Sequence, residues 1–358
     1  MPDYEQLLEC PPFGLTAGEK GALFDPMLTR LTALHRARCA PYDRLLKALG
    51  CGAHTPFTRE SVPMLPVSLF KQMDLRSIPE EEIFKVITSS GTSGQQVSRI
   101  CLDAATSARQ QKTLSRIVAH LIGPGRLPML VIDSRQVLRN RAMFSARGAG
   151  ILGFSLFGSP VCYALDDEMR LDLPAVEAFL DRHRGRRILL FGFTYMVWKH
   201  FCLALEELGR TLPIEGGVLI HGGGWKKLAG QAVSPQEFRA RLRAVAGLET
   251  VADYYGMAEQ TGCICLQCPQ GHLHVSSYSD ILIRRVSDYG VCPPGEPGVI
   301  QVLSPLPESY PGHSLLTEDT GVLLGEDDCP CGWKGKYFTV TGRLPRAEVR
   351  GCSDTYGG

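Results

Sequence analysis

Short, mainly apolar runs alternate with amphipathic ones through the middle of the chain. LPMLVID (127–133), RILLFGF (187–193), GGVLIHG (216–222) and ETVADYYG (249–256) have the length and pattern of buried strands. Interleaved with them, AATSARQQKTLSRIVAHLI (104–122), PAVEAFLDRHR (174–184), TYMVWKHFCLALEELG (194–209) and SPQEFRARLRAVAG (234–247) carry helical periodicity. The last opens on Ser234–Pro235, a cap followed by proline at the first helical position. Strands alternating with helices predict an α/β fold with a mostly parallel sheet covered on both faces. Residues 1–80 predict helices and loops, with an amphipathic stretch at 26–50. Past about residue 260 the pattern turns to short strands and turns rich in Gly, Pro and Cys. No internal repeat and no low-complexity tail is present.

Composition narrows the picture. A chain of 358 residues, 44% hydrophobic, suits one large domain or two unequal ones with a sizeable core. Basic and acidic residues number 38 and 37, for a net charge of +1, so no charge excess points to nucleic acid or an anionic membrane. The start, MPDYEQLLECPPFG, is acidic and lacks an apolar segment, so no signal peptide is expected. No apolar run approaches the ~18 residues of a membrane span. The expectation is a cytoplasmic protein with no nucleic-acid partner. Thirteen cysteines is a high, odd number. Without a secretion signal they read as metal ligands or a reactive thiol better than as a disulfide framework.

The chemistry-bearing stretches follow in order. TSSGTSGQQVS (88–98) comes directly after the apolar FKVI. Small hydroxyl and glycine residues after a strand suit a loop whose N–H groups and hydroxyls wrap a phosphate. It is not G-x-x-x-x-G-K-[ST], no G-x-G-x-x-G follows a strand, and Ser93 lacks the nucleophile-elbow spacing. HGGGWKK (221–227) is a glycine turn after a strand, at the carboxyl edge where open α/β sheets bind ligands. YYGMAE (254–259) ends in Glu259, LLTEDTGVL (315–323) offers Asp319, and TGR (341–343) supplies Arg343.

SSGTSG, GGGW, YYGMAE, TEDTG and GR in this order resemble the adenylate-forming enzymes, which include the acyl- and aryl-CoA ligases. The resemblance is closer to the acyl-protein synthetases, the fatty-acid-activating subunit of the bacterial luminescence reductase. VPMLPVSLFKQMDL (62–75), LIHGGGWKKL (219–228) and GRLPRAEVRGCSDT (342–355) carry it, and it covers roughly residues 55–355. It implies a large α/β domain of mixed and parallel sheets flanked by helices, a small β-rich C-terminal segment, and no full mobile lid. The expected division is a helical region at 1–80, a nucleotide- and acyl-binding core at 81–260, a β-rich segment at 261–343 and a tail at 344–358. The implied reaction uses ATP, Mg²⁺ and a carboxylic acid to form an acyl-adenylate and pyrophosphate. The acyl group then passes to a cysteine of the same chain, and on to a reductase partner.

Residue by residue, the resemblance implies that Thr88, Ser89, Ser90, Gly91, Thr92, Ser93 and Gly94 hold the pyrophosphate half of ATP. Gly222, Gly223 and Gly224 let adenine approach the backbone. Tyr255 and Gly256 flank the nucleotide, Glu259 holds Mg²⁺, Asp319 binds the ribose and Arg343 binds near it. Two departures stand out. The usual lysine after the loop is missing, with Arg99 as its substitute, and Ala258 replaces the usual threonine before the glutamate. The chain stops 15 residues after Arg343, where CoA ligases continue into a lid; the expectation is that this protein has none.

CICLQCPQGHLHV (263–275) and Cys329-Pro330-Cys331 have the spacing of a thiolate–imidazole metal site. Aryl-CoA ligases carry a similar set. By that match the ligands of a structural Zn²⁺ are Cys268, His274, Cys329 and Cys331, with Cys265 and His272 as substitutes. Cys352, in a glycine-flanked tail beside Arg346 and Arg350, is the expected acyl acceptor. Cations favour a thiolate, and nine residues beyond Arg343, at ~3.3 Å each, span roughly 30 Å. FGFTYMVWKHF (191–201) and GILGFSLFG (150–158) are candidate linings of the acyl pocket. Two other readings stay open: an acyl- or aryl-adenylate enzyme serving CoA or another small nucleophile, and a non-enzymatic zinc-bearing interaction protein.

Overall fold

The computed structural model describes residues 3–53, 55–89, 97–139, 146–225, 230 and 232–344. The described chain forms two compact units, one of residues 118–255 and one of residues 3–89, 97–117 and 256–344.

The first unit is the doubly covered parallel sheet expected from the alternating pattern. Its strands run in the order Gly158–Leu165, Leu127–Ser134, Leu189–Phe193, Val218–Gly222, Thr250–Tyr255, every neighbouring pair parallel. Leu130, Leu190 and Leu219 stand in register across three strands and are fully buried. Four of the five strands are the four apolar runs, within a few residues. The fifth, Gly158–Leu165, lies at the edge and is exposed at Ser159–Val161, so burial imposes no apolar run on it.

Its helices follow their sequence signals. In Pro235–Ala246 the Ser234 hydroxyl accepts from the Glu237 N–H, and the helix ends at Gly247 with φ 65°, a residue that adopts the left-handed region without strain. The stretch expected as one helix over 194–209 is three pieces: Thr194–Val197, a π-helical turn Trp198–Cys202 and Leu203–Glu207. The turn buries Trp198, Phe201 and Cys202, whose i, i+3, i+4 spacing is also that of one α-helical face, so their pattern does not announce the wider turn.

The second unit is built on an antiparallel sheet. Its order is Asp280–Arg284, Pro297–Leu303, Ser314–Glu326, Lys336–Arg343, Leu273–His274, Cys265–Gln267. The short strand Leu65–Pro66 runs parallel to Ser314–Glu326. A separate hairpin pairs Lys85–Thr88 with Arg99–Leu102. Helix Ala17–Arg38 opens on a Thr16–Glu19 capping box and buries Phe24, Met27, Leu28 and Leu31. It also buries Lys20, whose Nζ donates to the carbonyls of Ser276 and Ser279 at 2.9 and 3.0 Å. Nearby, Asp280 is fully buried and accepts from Lys336 Nζ at 3.1 Å and Arg59 Nη1 at 3.0 Å. Burial opposes ionisation of Asp280, but Lys336, Lys20 and Arg59 together hold it below the usual carboxylate range.

Among the described residues no helix is long and apolar enough to cross a membrane.

Candidate functional site

In the parallel unit, glycines, aromatic rings and polar side chains gather where the strands end. Val218–Gly222 runs into Gly223, whose φ is +76°. A Cβ at Gly222 would lie 2.4 Å from Tyr254 Cε1, and one at Gly223 would lie 3.0 Å from Phe193 Cδ1. The first two glycines are therefore required by the protein's own rings. Gly224 has open space around it. The Gly222 carbonyl accepts from Thr194 Oγ1 at 3.2 Å, and the same oxygen lies 3.0 Å from His221 Nδ1. Asp253, opposite His221 on the next strand, places Oδ1 3.7 Å from Nδ1. Burial pushes His221 down to about 3 and Asp253 up to about 7.

Sequence reading missed Thr194, His221 and Asp253. The available signal was that HGGG and DYYG end neighbouring strands, which only the register makes into contact. The two apolar stretches named for the acyl pocket do meet. Phe154 stacks on Phe191 at 4.3 Å, and Gly150 lets the Phe193 ring approach to 3.2 Å of its ideal Cβ position. Tyr255 is half-buried at the end of its strand.

In the antiparallel unit, the hairpin Lys85–Thr88/Arg99–Leu102 frames the small-residue loop. Thr88 stands opposite Arg99. The Ser89 N–H donates to the Ser98 carbonyl, and the Ser98 N–H to Ser89 Oγ at 2.9 Å. Ser90, Gly91, Thr92, Ser93 and Gly94 lie outside the described residues, as does Cys352. Gly256 packs its Cα face on Ile264. Glu259 is fully buried in a 3₁₀ turn, Ala258–Gln260. Its carbonyl accepts from Tyr310 Oη at 3.0 Å, while Gln260 Nε2 donates to the Gly312 carbonyl at 2.8 Å. This turn is thereby tied to the segment between strands Pro297–Leu303 and Ser314–Glu326.

Asp319 and Arg343 face each other directly across the Ser314–Glu326/Lys336–Arg343 hairpin. Arg343 Nε donates to Asp319 Oδ1 at 3.0 Å, and Nη2 to Glu318 Oε2 at 2.8 Å. Thr317 Oγ1 donates to the Ile300 carbonyl and accepts from the Asp319 N–H, which fixes the acidic pair. Both ends of the ion pair keep some exposure, 22% for Asp319 and 30% for Arg343.

The other end of the same hairpin holds a donor cluster. Cys268, His274, Cys329 and Cys331 bring their Sγ and ring nitrogen atoms within 4.8 Å of one another. His274 sits opposite Tyr337 in the sheet and stacks on it at 5.3 Å. Cys329 and Cys331 come from the turn between the two long strands, and Gly332, with φ +82°, closes it through an N–H bond to the Cys329 carbonyl. His272 Nδ1 lies 3.5 Å from Cys329 Sγ, beside the set. Burial keeps His274 down at about 4, hence neutral, and pushes the Cys331 thiol up to about 12. Three crowded cysteine sulfurs and a neutral imidazole are the donor set that a tetrahedral divalent cation stabilises. The residues fit Zn²⁺.

Residues 4–357 match the family described as acyl-protein synthetase, LuxE. The long-chain-fatty-acid–luciferin-component ligase of Vibrio harveyi is 24% identical over 333 residues, covering 87% of this chain and 81% of its own. The ligase of the same name from Aliivibrio fischeri is 21% identical, covering 83% and 78%. Among solved structures, an open conformation of 2-hydroxyisobutyryl-CoA ligase, in complex with 2-HIB-AMP and CoA, superposes with a TM-score of 0.71 at 15% identity. It covers 94% of this chain and 77% of its own. That likeness extends to the fold.

Proposed function

The chain belongs to the acyl-protein synthetase family, and on that premise we propose the course of its reaction and the residues that carry it. It is an enzyme that activates an acyl group. A fatty acid, in keeping with the relatives' names, attacks the α-phosphorus of ATP through a carboxylate oxygen. The bond from that phosphorus to the bridging oxygen breaks, and pyrophosphate leaves with the electron pair. The Cys352 thiolate then attacks the acyl-adenylate carbonyl, the acyl–oxygen bond breaks, and AMP leaves with its pair; the thiol proton goes to solvent. A thioester keeps the acyl group activated, so an acyl reductase is the partner that consumes it. The observation that carries this reading is the family match over residues 4–357, which takes in the Cys352 tail.

The residue roles are part of the same proposal. The loop from Thr88 to Gly94 donates N–H and hydroxyl hydrogens to charge building on the transferring phosphoryl group. Gly222, Gly223 and Gly224 receive the adenine, with Tyr255 and Gly256 beside it. Asp319 and Arg343 read the ribose. The Mg²⁺ that accompanies ATP supplies charge neutralisation, and Glu259 is the carboxylate assigned to it. Cys268, His274, Cys329 and Cys331 hold a Zn²⁺. Four protein donors leave no place for a reacting water, so its work is structural.

The test is chemical. With ATP, Mg²⁺ and an accepted acid, the enzyme releases pyrophosphate and gains one acyl mass that neutral hydroxylamine removes. Cys352→Ser keeps pyrophosphate release and carries no hydroxylamine-labile group. Full acylation of that variant would place the acceptor elsewhere. Turnover that consumes CoA and never labels the protein would make it a CoA ligase.

A further inference from the structure

The end of Val218–Gly222 is held by more than its neighbours in the sheet. Thr194 follows Leu189–Phe193, the adjacent strand, and starts a short helix. Its hydroxyl is 7% exposed as a residue and meets two polar atoms, the Gly222 carbonyl oxygen at 3.2 Å and His221 Nδ1 at 3.0 Å. A hydroxyl has one proton to give. The carbonyl only accepts, so that proton goes to Gly222, and the hydroxyl oxygen then accepts from His221 Nδ1–H. One threonine thus fixes the orientation of the last carbonyl of the strand and the tautomer of the buried histidine before it. Immediately beyond that carbonyl the chain turns through Gly223 at φ +76°, with the Phe193 ring against it. Phe193 and Thr194 are consecutive, so one dipeptide grips the turn through a ring and a hydroxyl.

We propose that Thr194 is a positioning residue for nucleotide recognition. Its hydroxyl holds the Gly222–Gly223–Gly224 turn in the conformation that admits a purine ring, acting through Gly222 and His221 and touching neither substrate. This rests on the assignment of that turn to adenine. Without the hydroxyl the Gly222 carbonyl loses that donor, the turn samples other geometries, and binding of ATP has to select the competent one. Thr194 also belongs to the stretch 191–201 named for the acyl pocket, but a substitution that keeps its shape leaves that lining in place, so the effect falls mainly on ATP.

The experiment is acid-dependent ATP–pyrophosphate exchange in the full chain, with KM measured separately for ATP and for the acid. Thr194→Val, which keeps the shape and removes the hydroxyl, raises the KM for ATP about tenfold, as expected for one lost buried hydrogen bond. It leaves kcat and the KM for the acid within about twofold. Thr194→Ser, which restores the hydroxyl, returns the KM for ATP to within about twofold of the parent. Equal losses toward both substrates, or an unchanged KM for ATP in Thr194→Val, overturn the proposal. If the valine variant fails to fold, Thr194→Cys, with its weak donor, carries the same comparison, and a parent-like KM there overturns it too. Gly223→Ala separates the two levels. A raised KM for ATP in Gly223→Ala beside a normal one in Thr194→Val removes the role of Thr194 and leaves the adenine turn standing. A normal KM in Gly223→Ala removes both.

Discussion

Asp253 keeps 38% of its side chain exposed, but the oxygen nearest His221 is buried, which pushes its carboxyl up to about 7, next to a histidine that burial has pushed down to about 3. The two work in opposite directions. Between the ordinary carboxylate range and about pH 7, folded Asp253 keeps a proton that the unfolded chain has lost, so its contribution to stability is lost as pH rises through that window. His221 does the reverse: the unfolded chain takes up a proton below about 6.5 that the folded one refuses, so its contribution is lost as pH falls. Asp253→Asn removes the first effect alone. Its melting temperature, measured from pH 5 to 8, is expected to fall less with rising pH than that of the parent. Parallel curves would show that Asp253 is not held protonated. At Arg343 the expectation concerns binding. The pair with Asp319 and Glu318 is partly exposed, so Arg343→Gln costs about 1 kcal/mol of stability or less. The same change raises the KM for ATP about tenfold or more if the pair reads the ribose. Thermal melts and exchange kinetics on one preparation check both halves. These residues also mark what sequence can say. TEDTG and GR announced a carboxylate and a cation, because each ends a recognisable run. That Asp319 and Arg343 stand directly opposite each other is a fact of strand register across two bulges, which neither motif encodes.

At the scale of elements, the parallel strands were legible because burial on both faces demands apolar runs, and the helices because capping and periodicity agree. Ser234 and Gly247 close one helix at both ends as their residue types suggest. The π-helical turn at Trp198–Cys202 was not legible, since its apolar positions fit an α-helix just as well. The edge strand Gly158–Leu165 was hidden by its exposure. The donor cluster belongs to this scale, for it closes the hairpin formed by Ser314–Glu326 and Lys336–Arg343. The four ligands were readable from their spacing together with the family likeness. His272 and Cys265 competed on spacing alone, and the sheet register places His274 among the donors. Purified protein is expected to contain one Zn²⁺ per chain by elemental analysis. Cys329→Ser should lower the melting temperature far more than Cys162→Ser, whose thiol contacts the Tyr163 carbonyl. Absence of zinc from protein produced with ample metal, or equal effects of the two substitutions, would contradict the assignment.

For the whole molecule, a balanced charge of +1 conceals an uneven interior. Lys20, Lys336 and Arg59 surround one buried carboxylate, Asp280. No sequence pattern foretells this, because Lys20 sits on a helix near the start of the chain and Asp280 on a strand 260 residues later. Removing the shared anion leaves cations buried without compensation, the costly way to break such a network. Asp280→Asn is expected to destabilise by about 3–5 kcal/mol, seen in a urea titration as a lower midpoint with little change in slope. Replacement by a neutral side chain with no loss would show that Lys20 and Lys336 sit there uncharged. The same network joins helix Ala17–Arg38 to the strand that carries Arg343, so both site and stability depend on contacts distant in sequence.

The hairpin that carries the donor cluster also sets an order of assembly. Its donors are spread from residue 268 to residue 331. With synthesis at about 5–20 residues per second, roughly 60 residues take on the order of 3–12 seconds. During that interval Cys263, Cys265 and Cys268 have left the ribosome, while Cys329 and Cys331 do not yet exist. A cation cannot be fully enclosed until the turn at 329–331 arrives, and the last strand, ending at Arg343, follows it. Metal scarcity at that moment would strand three adjacent thiols in a half-made sheet, open to oxidation. The yield of competent enzyme is therefore expected to track the zinc present while the chain is being made more closely than the zinc supplied afterwards.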